Sequence, residues 1–499
     1  MRTRREFLSA ALLAVPAASL SQLAAAAQSG RGGLVDLTAT EAVALLRSGD
    51  LSAEKYATAL LDACRTHRAL GAFIWQNEDD VLSAARAADK RRASNRIGAL
   101  HGLPILVKDN IDTARAPTTA GTPALRLHRP TADAPVVASV FSAGAILLGK
   151  TNMHELAVGI TSNNSAFGAV HNPYNPALIA GGSSGGNGAA IAARMCPAGL
   201  GTDTGASVRI SAALCGIVGL RPTMGRYPQR GIVPFSHTRD TAGPMARSVR
   251  DLVLLDSIIT GQRTPLQPAA LKGLRIGIPR GYFFDGLDAS LAPVIEKALT
   301  TLRDAGCVLI DADVPNLEKL YIAATGPITF YEMLYDLARY LRESGLKLSV
   351  QDLVAQIASP DVKSLYETSV IGPQAPTRAA YDTAMTQSRP ALQAAYREYF
   401  RTHNVTAMAF PTTILTARPI GDDVEVELNG KRVPTFGTYL HNTRPMATAG
   451  IPGLSLPVGR TVTGLPVGME LDAPAGTDRQ LLSAALAIES LFGPLPPPA

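Results

Sequence analysis

The chain has 499 residues, of which 46% are hydrophobic and 18% are charged. This composition supports a sizeable buried core and excludes disorder over most of the length. The formal net charge is +6, but no basic run interleaved with aromatics occurs, so the sequence does not predict nucleic-acid binding. The four cysteines lack metal-ligand spacing and are expected to be small buried residues: Cys64, Cys196, Cys215 and Cys307.

The N-terminus has the pattern of a secretory leader. Two adjacent arginines precede a mildly apolar run that ends in small residues, which is typical of a twin-arginine signal peptide. Pro16 and several polar residues interrupt the run, which disfavours a membrane span. We therefore expect residues 1–27 to be a signal peptide, residues 28–499 to be the mature domain, and the protein to be exported to a bacterial periplasm or beyond.

The first half of the chain alternates helix and strand patterns. Residues 38–67 predict two amphipathic helices with Thr38 and Ser52 as N-caps and Gly49 between them, and residues 79–93 predict a third helix. GLPILVKDN predicts a short buried strand, and VVASVFSAGAILLGKTN predicts a helix followed by a strand. The stretch GIVGLRPTMGRYP is rich in turn residues and predicts a loop.

The second half contains a change of character between strands. LKGLRIGIPRG and CVLIDADV predict strands around the helix SLAPVIEKALTTLRDAG. Residues 315–400 are helical in pattern and rich in tyrosine, so we expect a helical insertion or cap. Strand patterns return in VTAMAFP, GIPGLSLPVG and LPVGMELDAP before a last helix, RQLLSAALAIESLF. The sequence therefore predicts a single large α/β domain with a mixed β-sheet core covered by helices on both faces.

The stretch GGSSGGNG at 181–188 is compatible with several kinds of site. It lacks the lysine of a phosphate-binding loop. Residues 182–186 match the G-x-S-x-G elbow of an α/β-hydrolase with Ser184 as the nucleophile, but no histidine stands in a supporting context. The flanking segments, a turn region and an apolar run, disfavour a flexible linker. The stretch is expected to be structured, and the role of each serine stays open at this point.

A second glycine–serine stretch, GTDTGASVR at 201–209, offers Ser207 as another nucleophile. A tight turn through 204–207 would aim consecutive backbone N–H groups at one point, as stabilisation of an oxyanion requires. A serine needs a base to remove its proton. Lys108 ends the apolar strand LPILV, and burial there would lower the pKa of its amine enough for it to act as that base.

Together, GLPILVKDN, GGSSGGNGAA and GTDTGASVRI resemble the amidase signature family in order and spacing. Ser183 and Ser207 are 24 positions apart, as are the paired serines of that family. The segments KTNMHELAVG, SNNSAFGAVHNPYNP, CGIVGLRPT and DTAGPMARSVRD are also similar, and the resemblance extends from about residue 36 to residue 490. It implies an amidase-signature fold and an amide hydrolase that needs no metal and no organic cofactor.

The resemblance implies a role for each matching residue. Ser207 would be the acyl-forming nucleophile, Ser183 a bridging serine that follows a cis peptide bond, and Lys108 the neutral base. The oxyanion hole would consist of the backbone N–H groups of four residues: Thr204, Gly205, Ala206 and Ser207. Ser184 would support the site through a hydrogen bond. Asp203 and Arg209 would brace the turn.

The sequence departs from the family pattern at Ala206, where glycine is usual, and at Ser211, where proline is usual. An alanine keeps its N–H, but it would be strained if the turn required a positive φ. This departure raises one alternative of another class, a catalytically weak exported binding protein that retains the fold. The intact residues Lys108, Ser183 and Ser207 favour an enzyme instead.

Within the family, the C-terminal half and the segment SNNSAFGAV look closest to mandelamide and indoleacetamide hydrolases. This similarity favours small aryl-acetamide-type amides, with Phe330 and Tyr331 as candidate pocket residues. The leader raises a rival, an exported amidase or esterase that acts on peptide amides, anilides or carbamates. The expected partner is a small amide substrate, without nucleic acid, metal or stable membrane insertion. The oligomeric state stays open, and a homodimer is one option.

Overall fold

The computed structural model describes residues 33–93 and 97–498, so the leader expected at residues 1–27 lies outside the described residues. In chain order the strands are β1 (Phe73–Trp75), β2 (Pro104–Lys108), β3 (Ile146–Thr151), β4 (Asn163–Asn164), β5 (Gly168–Ala169), β6 (His171–Asn172), β7 (Asn175–Ile179), β8 (Ala198–Asp203), β9 (Val218–Arg221), β10 (Thr241–Ala246), β11 (Arg275–Ile278), β12 (Val308–Asp311), β13 (Ala407–Pro411), β14 (Glu425–Leu428), β15 (Lys431–Pro434), β16 (Gly453–Arg460) and β17 (Pro466–Asp472).

The α-helices of the described residues are α1 (Ala39–Ser48), α2 (Ala53–Thr66), α3 (Glu78–Ala93), α4 (Pro135–Ser142), α5 (Gly185–Ala192), α6 (Arg209–Cys215), α7 (Val249–Thr260), α8 (Arg280–Phe283), α9 (Ala292–Asp304), α10 (Leu317–Glu343), α11 (Val350–Ala355), α12 (Pro360–Leu365), α13 (Arg378–Thr383), α14 (Arg389–His403), α15 (Thr435–Leu440), α16 (Arg444–Ala449) and α17 (Asp478–Phe492). A π-helical turn follows α12 at Tyr366–Val370, and another follows α13 at Ala384–Ser388.

Eleven strands form one mixed sheet in the order β1-β3-β2-β8-β10-β9-β16-β17-β13-β11-β12. β2 is parallel to β3 and β8, β11 is parallel to β12 and β13, and the other neighbours are antiparallel. Because β9, from the first half of the chain, pairs with β16, from the last part, the two halves share one core. The prediction of a single α/β domain with a mixed sheet is confirmed.

The sequence signals that set the first two helices are present in the structure. Thr38 Oγ1 accepts a hydrogen bond from the Glu41 backbone N–H at 3.2 Å, and Ser52 Oγ accepts one from the Lys55 N–H at 3.2 Å. Gly49 ends α1 with a φ of 90°, a left-handed conformation that favours glycine. The predicted N-caps and the glycine between the helices are therefore confirmed.

Three central strands differ from the sequence-based expectation. The segment expected to be a loop contains β9, and the patterns did not predict β8 or β10. β8 and β10 are rich in glycine and alanine, which have low β propensity, yet all residues of the three strands are buried. Glycine is required at two positions of β8 because neighbouring side chains leave no room for a Cβ. A Cβ built on Gly199 would lie 2.7 Å from the Leu106 Cβ, and one on Gly201 would lie 2.9 Å from the Ser184 Oγ.

Five helices, α10 to α14, occupy the chain between β12 and β13. The longest of them, α10, packs its residues Met333 and Leu337 into an apolar cluster that also contains Val158 and Val233 from the first half of the chain. This contact places one end of α10 beside the loops that follow the central strands. Of the helices between β12 and β13, α10 and α12 contribute residues to the wall of the cavity described below.

Two further expectations concern the cysteines and the membrane. All four cysteines are free and buried, as the sequence predicted. Among the helices of residues 33–93 and 97–498, none is both long enough and apolar enough to cross a bilayer.

The close packing of the central strands gives a test of stability. Gly243 of β10 pairs with Gly201 of β8, and a Cβ on Gly243 would lie 2.4 Å from the Leu220 carbonyl oxygen. We expect Gly243→Ala to lower the free energy of unfolding by about 1–3 kcal/mol, because a backbone atom cannot yield as a side chain can. The measurement is urea-induced unfolding followed by circular dichroism.

The matched control is Gly326→Ala in α10, where a Cβ would meet no atom within 4 Å. In a helix this substitution should stabilise the protein by about 0.5–1 kcal/mol. Equal unfolding midpoints for the two variants would contradict the close approach at Gly243.

Candidate active site

Three polar side chains from separate elements form a continuous chain. Lys108 Nζ lies 2.8 Å from Ser183 Oγ, which lies 2.8 Å from Ser207 Oγ. Lys108 and Ser183 have no exposed surface, whereas Ser207 is 8% exposed and lines a cavity of about 340 Å³. The chain therefore connects a buried amine to a hydroxyl group that a ligand in the cavity can reach.

The sheet brings Lys108 and Ser207 together. β2 and β8 are parallel neighbours, with Val107 opposite Leu200, so the carboxyl ends of both strands lie at the same edge. Lys108 is the last residue of β2, and the turn that carries Ser207 follows β8 directly. Two strand ends therefore fix the positions of the amine and of the terminal hydroxyl.

Glycines make room for Ser183 between these strand ends. The peptide bond between Gly182 and Ser183 is cis, as the resemblance implied. A Cβ on Gly182 would lie 2.7 Å from the Ile160 carbonyl carbon, and Gly181 has a φ of 79°. Because neither position accepts a side chain without strain, the glycines of GGSSGGNG serve the local backbone path and not flexibility.

The surroundings of Lys108 favour its neutral form. Burial lowers the pKa of Lys108 to about 7, and the negative charges of Asp203 and Asp240 oppose this shift only in part. Lys108 Nζ also lies 2.9 Å from Thr202 Oγ1, to which Asn110 Nδ2 donates a hydrogen bond of 3.0 Å. A substantial neutral fraction near pH 7 makes the amine available as a proton acceptor.

The turn at 204–207 presents free backbone donors. Within the described part of the chain, none of the N–H groups of these four residues donates a hydrogen bond. The backbone of Ala206 does not have a positive φ, and its methyl group packs in an apolar cluster with Ile210 and Leu440. The strain considered for an alanine at this position is therefore absent, and the donors stay available to a ligand oxygen.

Charged residues behind the turn hold it in place. Asp203 accepts hydrogen bonds from the Val208 N–H at 3.2 Å and from Arg209 Nε at 3.1 Å. Burial raises the pKa of Asp203, but the positive charges of Arg209 and Arg221 outweigh it and lower the pKa to about 2. Arg209 also donates to Glu470 at 2.8 Å. Asp203 and Arg209 thus brace the turn from within the core.

Ser184, the nucleophile of the hydrolase-elbow alternative, occupies a different environment. Its hydroxyl donates to the Thr202 carbonyl at 3.2 Å, and the side chain is fully buried. Within the described residues, no histidine hydrogen-bonds to Ser184, so the structure does not support that alternative. Ser184 instead helps to hold the segment that carries Ser183 against β8.

Several polar residues of the site were not predicted from the sequence. Thr204 Oγ1 donates to Asp240 Oδ1 at 2.5 Å, and Asp240 also accepts from the backbone N–H groups of Phe235 and Ser236. Burial raises the pKa of Asp240 to about 6. Thr202 lies near the end of β8, just before the turn at 204–207, and that position would have marked it as a site residue if β8 had been predicted. Arg239 and Asp240 are more than 30 positions from Ser207, so their position in the sequence gives no such signal.

The cavity beside Ser207 is mainly apolar. Its lining includes Ile160, Phe235, Phe330, Leu365, Phe436 and Leu440, together with two arginines, Arg239 and Arg444. Of the two proposed aromatic pocket residues, Phe330 lines the cavity but Tyr331 does not. The Tyr331 ring stacks on Tyr381 at a centroid distance of 4.3 Å. Consecutive residues of a helix point in different directions, which explains why only one of the pair faces the cavity.

Among the described residues, one group has the composition of a metal site, His237 with Glu332 and Asp336. Their polar atoms already have partners. Asp336 Oδ2 accepts from the His237 N–H and from its ring Nδ1, and Glu332 accepts from Ser236, Thr238 and Tyr381. These contacts attach the loop at 236–238 to α10, and we assign the group this anchoring role.

Comparison with known proteins identifies the family of the chain. A family model described as Amidase matches residues 56–482. The chain is 46% identical to an indoleacetamide hydrolase of Agrobacterium vitis over 444 residues, which are 89% of this chain and 94% of the relative. It is 39% identical to a mandelamide hydrolase of Pseudomonas putida over 485 residues, with 93% of each covered.

Solved structures give the same result. The peptide amidase of Stenotrophomonas maltophilia is 30% identical and superposes with a TM-score of 0.78, covering 93% of this chain and 98% of that one. The crystal structure of another amidase superposes with a TM-score of 0.82 at 31% identity, covering 92% of this chain and 100% of that one. The chain therefore belongs to the amidase signature family and is a hydrolase of amide carbon–nitrogen bonds.

Proposed function

We propose that this enzyme hydrolyses small arylacetamide-type primary amides to a carboxylic acid and ammonia, with Ser207 as nucleophile, Ser183 as bridge and Lys108 as base. The observation that carries the proposal is the chain Lys108–Ser183–Ser207, with two steps of 2.8 Å, that ends at an apolar cavity. A serine becomes nucleophilic when a positioned base can take its proton, and the buried amine is placed for that role.

The acyl group is proposed from the cavity and from the relatives. Two similar proteins are named for indoleacetamide and mandelamide, which are both amides of aryl-substituted acetic acids. In this protein the cavity has a volume of about 340 Å³ and is bordered by Phe235, Phe330 and Phe436. A flat ring buried among such side chains gains apolar contact, so an arylacetamide fits both the size and the chemistry of the cavity.

Acylation begins with proton transfer along the chain. The Ser207 proton passes to Ser183 Oγ while the Ser183 proton passes to the neutral amine of Lys108. Ser207 Oγ attacks the amide carbonyl carbon, and the negative oxygen of the tetrahedral intermediate accepts hydrogen bonds from the free N–H groups at 204–207. The carbon–nitrogen bond then breaks, and the proton returns by the same path to the leaving nitrogen, which departs as ammonia.

Deacylation repeats these steps with water. Lys108, neutral again, takes a proton from water through Ser183, and the resulting hydroxide attacks the ester carbonyl of the acyl-enzyme. The same N–H groups stabilise the second oxyanion. The ester bond breaks, Ser207 recovers its proton, and the carboxylic acid is released as its anion at neutral pH. The proton transfers among Lys108, Ser183 and Ser207 take place between groups that are already within hydrogen-bond distance.

The first test is the pH dependence of catalysis. Because only the neutral amine accepts the proton, kcat/KM should rise about tenfold per pH unit below the Lys108 pKa of about 7 and level off above it. The measurement is the initial rate of phenylacetamide hydrolysis from pH 5.5 to 9. Lys108→Met should lower kcat/KM by about 10²–10⁴-fold and abolish the rise of kcat/KM between pH 5.5 and 7. A wild-type kcat/KM that does not change with pH, or a rise that persists in Lys108→Met, would contradict the role of Lys108 as the base.

The second test concerns the acyl group. Gly326 of α10 lines the cavity, and a Cβ there would meet no atom within 4 Å. We expect Gly326→Leu to fill part of the space and to lower kcat/KM for phenylacetamide and indole-3-acetamide by about tenfold or more, with little effect on propionamide. Gly326→Ala is the matched control. It should leave the ratio of kcat/KM for phenylacetamide to kcat/KM for propionamide within about threefold of the wild-type ratio.

A wider panel of substrates decides between the acyl classes. A panel of phenylacetamide, mandelamide, a peptide amide, an acetanilide and an aryl carbamate should show the highest kcat/KM for the two arylacetamides. A higher value for the peptide amide, the anilide or the carbamate would reject the arylacetamide proposal in favour of that class.

A further inference from the structure

Two arginines line the cavity without an acidic partner. Within residues 33–93 and 97–498, neither Arg239 nor Arg444 forms an ion pair with a carboxylate. Arg444 lies over the Phe436 ring at 5.2 Å from its centroid. Arg239 is only 3% exposed and donates to Thr329 Oγ1, but its Nε is buried with no hydrogen-bond partner. Arg239 therefore has no ion-pair partner among the described residues, although the nearby charge of Asp240 partly favours its charged form.

The guanidinium of Arg239 lies at the reacting end of the cavity. Its Nη2 is 3.7 Å from the position of a Cβ built on Gly205, in the turn that presents the free N–H groups. Nη2 donates no hydrogen bond to any of the described residues. Ser207, the turn and Arg239 line the same cavity, so Arg239 borders the part of the cavity that a ligand oxygen beside Ser207 would enter.

The backbone around Arg239 is fixed. Its carbonyl oxygen accepts a hydrogen bond of 2.7 Å from Arg221 Nη2. The preceding residue, Thr238, donates both its N–H and its hydroxyl to Glu332 of α10. Thr329 on the same helix accepts a hydrogen bond from Arg239 Nη1, so the residue is held at its backbone and at one nitrogen of the guanidinium. A group held this way is ready for a ligand without the entropic cost of ordering it.

A buried, unpaired charge is unfavourable unless a counter-charge arrives. Burial and the nearby charges of Arg444, Arg221 and Arg389 lower the pKa of Arg239 to about 9, against a smaller opposing effect of Asp240. The side chain is therefore still positively charged at neutral pH. The neutral amide substrate brings no counter-charge. The acid formed from it does, because its carboxylate appears on the same carbon that Ser207 attacked.

We propose that Arg239 is a carboxylate-binding residue at the acyl end of the cavity, which holds the acid product and makes the enzyme subject to inhibition by that product. This inference rests on the proposed function, since it places the acyl carbon of the substrate beside Ser207. The carboxylate accepts a charge-assisted hydrogen bond from Nη2, and such bonds are stronger than those between neutral groups. The acid therefore binds more tightly than the amide from which it is made.

The test compares each acid with its own amide in a protein that cannot turn over. Ser207→Ala is titrated by calorimetry with phenylacetate, indole-3-acetate and hexanoate, and with the three corresponding primary amides. At least one acid should bind tenfold or more tightly than its amide. In Ser207→Ala/Arg239→Gln that acid should lose at least tenfold in affinity and its amide less than threefold, whereas Arg239→Lys should retain part of the preference.

Two controls separate this effect from a general change in charge or in folding. Arg339→Gln removes an arginine that is paired with Asp336 and does not line the cavity, and it should leave both affinities unchanged. Circular dichroism and the unfolding midpoint check that the Arg239 variants are folded. With active enzyme, the acid should inhibit competitively, and Arg239→Gln should raise its inhibition constant by the same factor.

The inference is overturned if no acid binds more tightly than its amide, or if Arg239→Gln weakens acid and amide equally. It is also overturned if Arg239→Gln lowers kcat more than tenfold while acid binding is unchanged, since Arg239 would then serve the transition state. The proposed function fails separately, when another amide class is hydrolysed faster. Because the titrations need no turnover, acid binding through Arg239 is still measurable in that case.

Discussion

The site depends on one constraint, the complete burial of a lysine amine at the end of an internal strand. Lys108 has no exposed surface, and its Nζ is surrounded by the hydroxyl groups of Ser183 and Thr202. In such surroundings the charged form loses hydration that two hydroxyl groups cannot replace. The neutral amine is therefore available near pH 7, as its proposed role as a base requires. Histidine, the usual choice for this task, is not needed.

The rest of the fold serves to hold this amine close to a hydroxyl that faces substrate. Parallel pairing of β2 and β8 brings both strand ends to one edge, and Gly181 and Gly182 let the segment with Ser183 pack closely against the backbone of Ser211 and Ile160. The buried pair of Asp203 and Arg209 then holds the nucleophile turn from behind. A break in this support would displace Ser207, even though the braces themselves do not reach the cavity.

Local sequence signals predicted a large part of this arrangement. Strand and helix periodicity identified most of the sheet, and the spacing of Lys108, Ser183 and Ser207 carried the resemblance that implied their contact. Strand β8 was missed because its glycines have low β propensity and are required only by neighbours distant in sequence, such as Leu106. Arg239 was missed for a similar reason, since its position beside Gly205 depends on the tertiary fold.

The central claim is that Ser207 forms the covalent intermediate and receives help from Ser183 and Lys108. Its most direct test is mass spectrometry of the enzyme quenched during turnover of phenylacetamide or its methyl ester, followed by peptide mapping. The account predicts a phenylacetyl adduct on Ser207 in the wild-type protein, and its loss in Ser183→Ala and Lys108→Met. An adduct on Ser184, or an undiminished adduct on Ser207 in both variants, would contradict it.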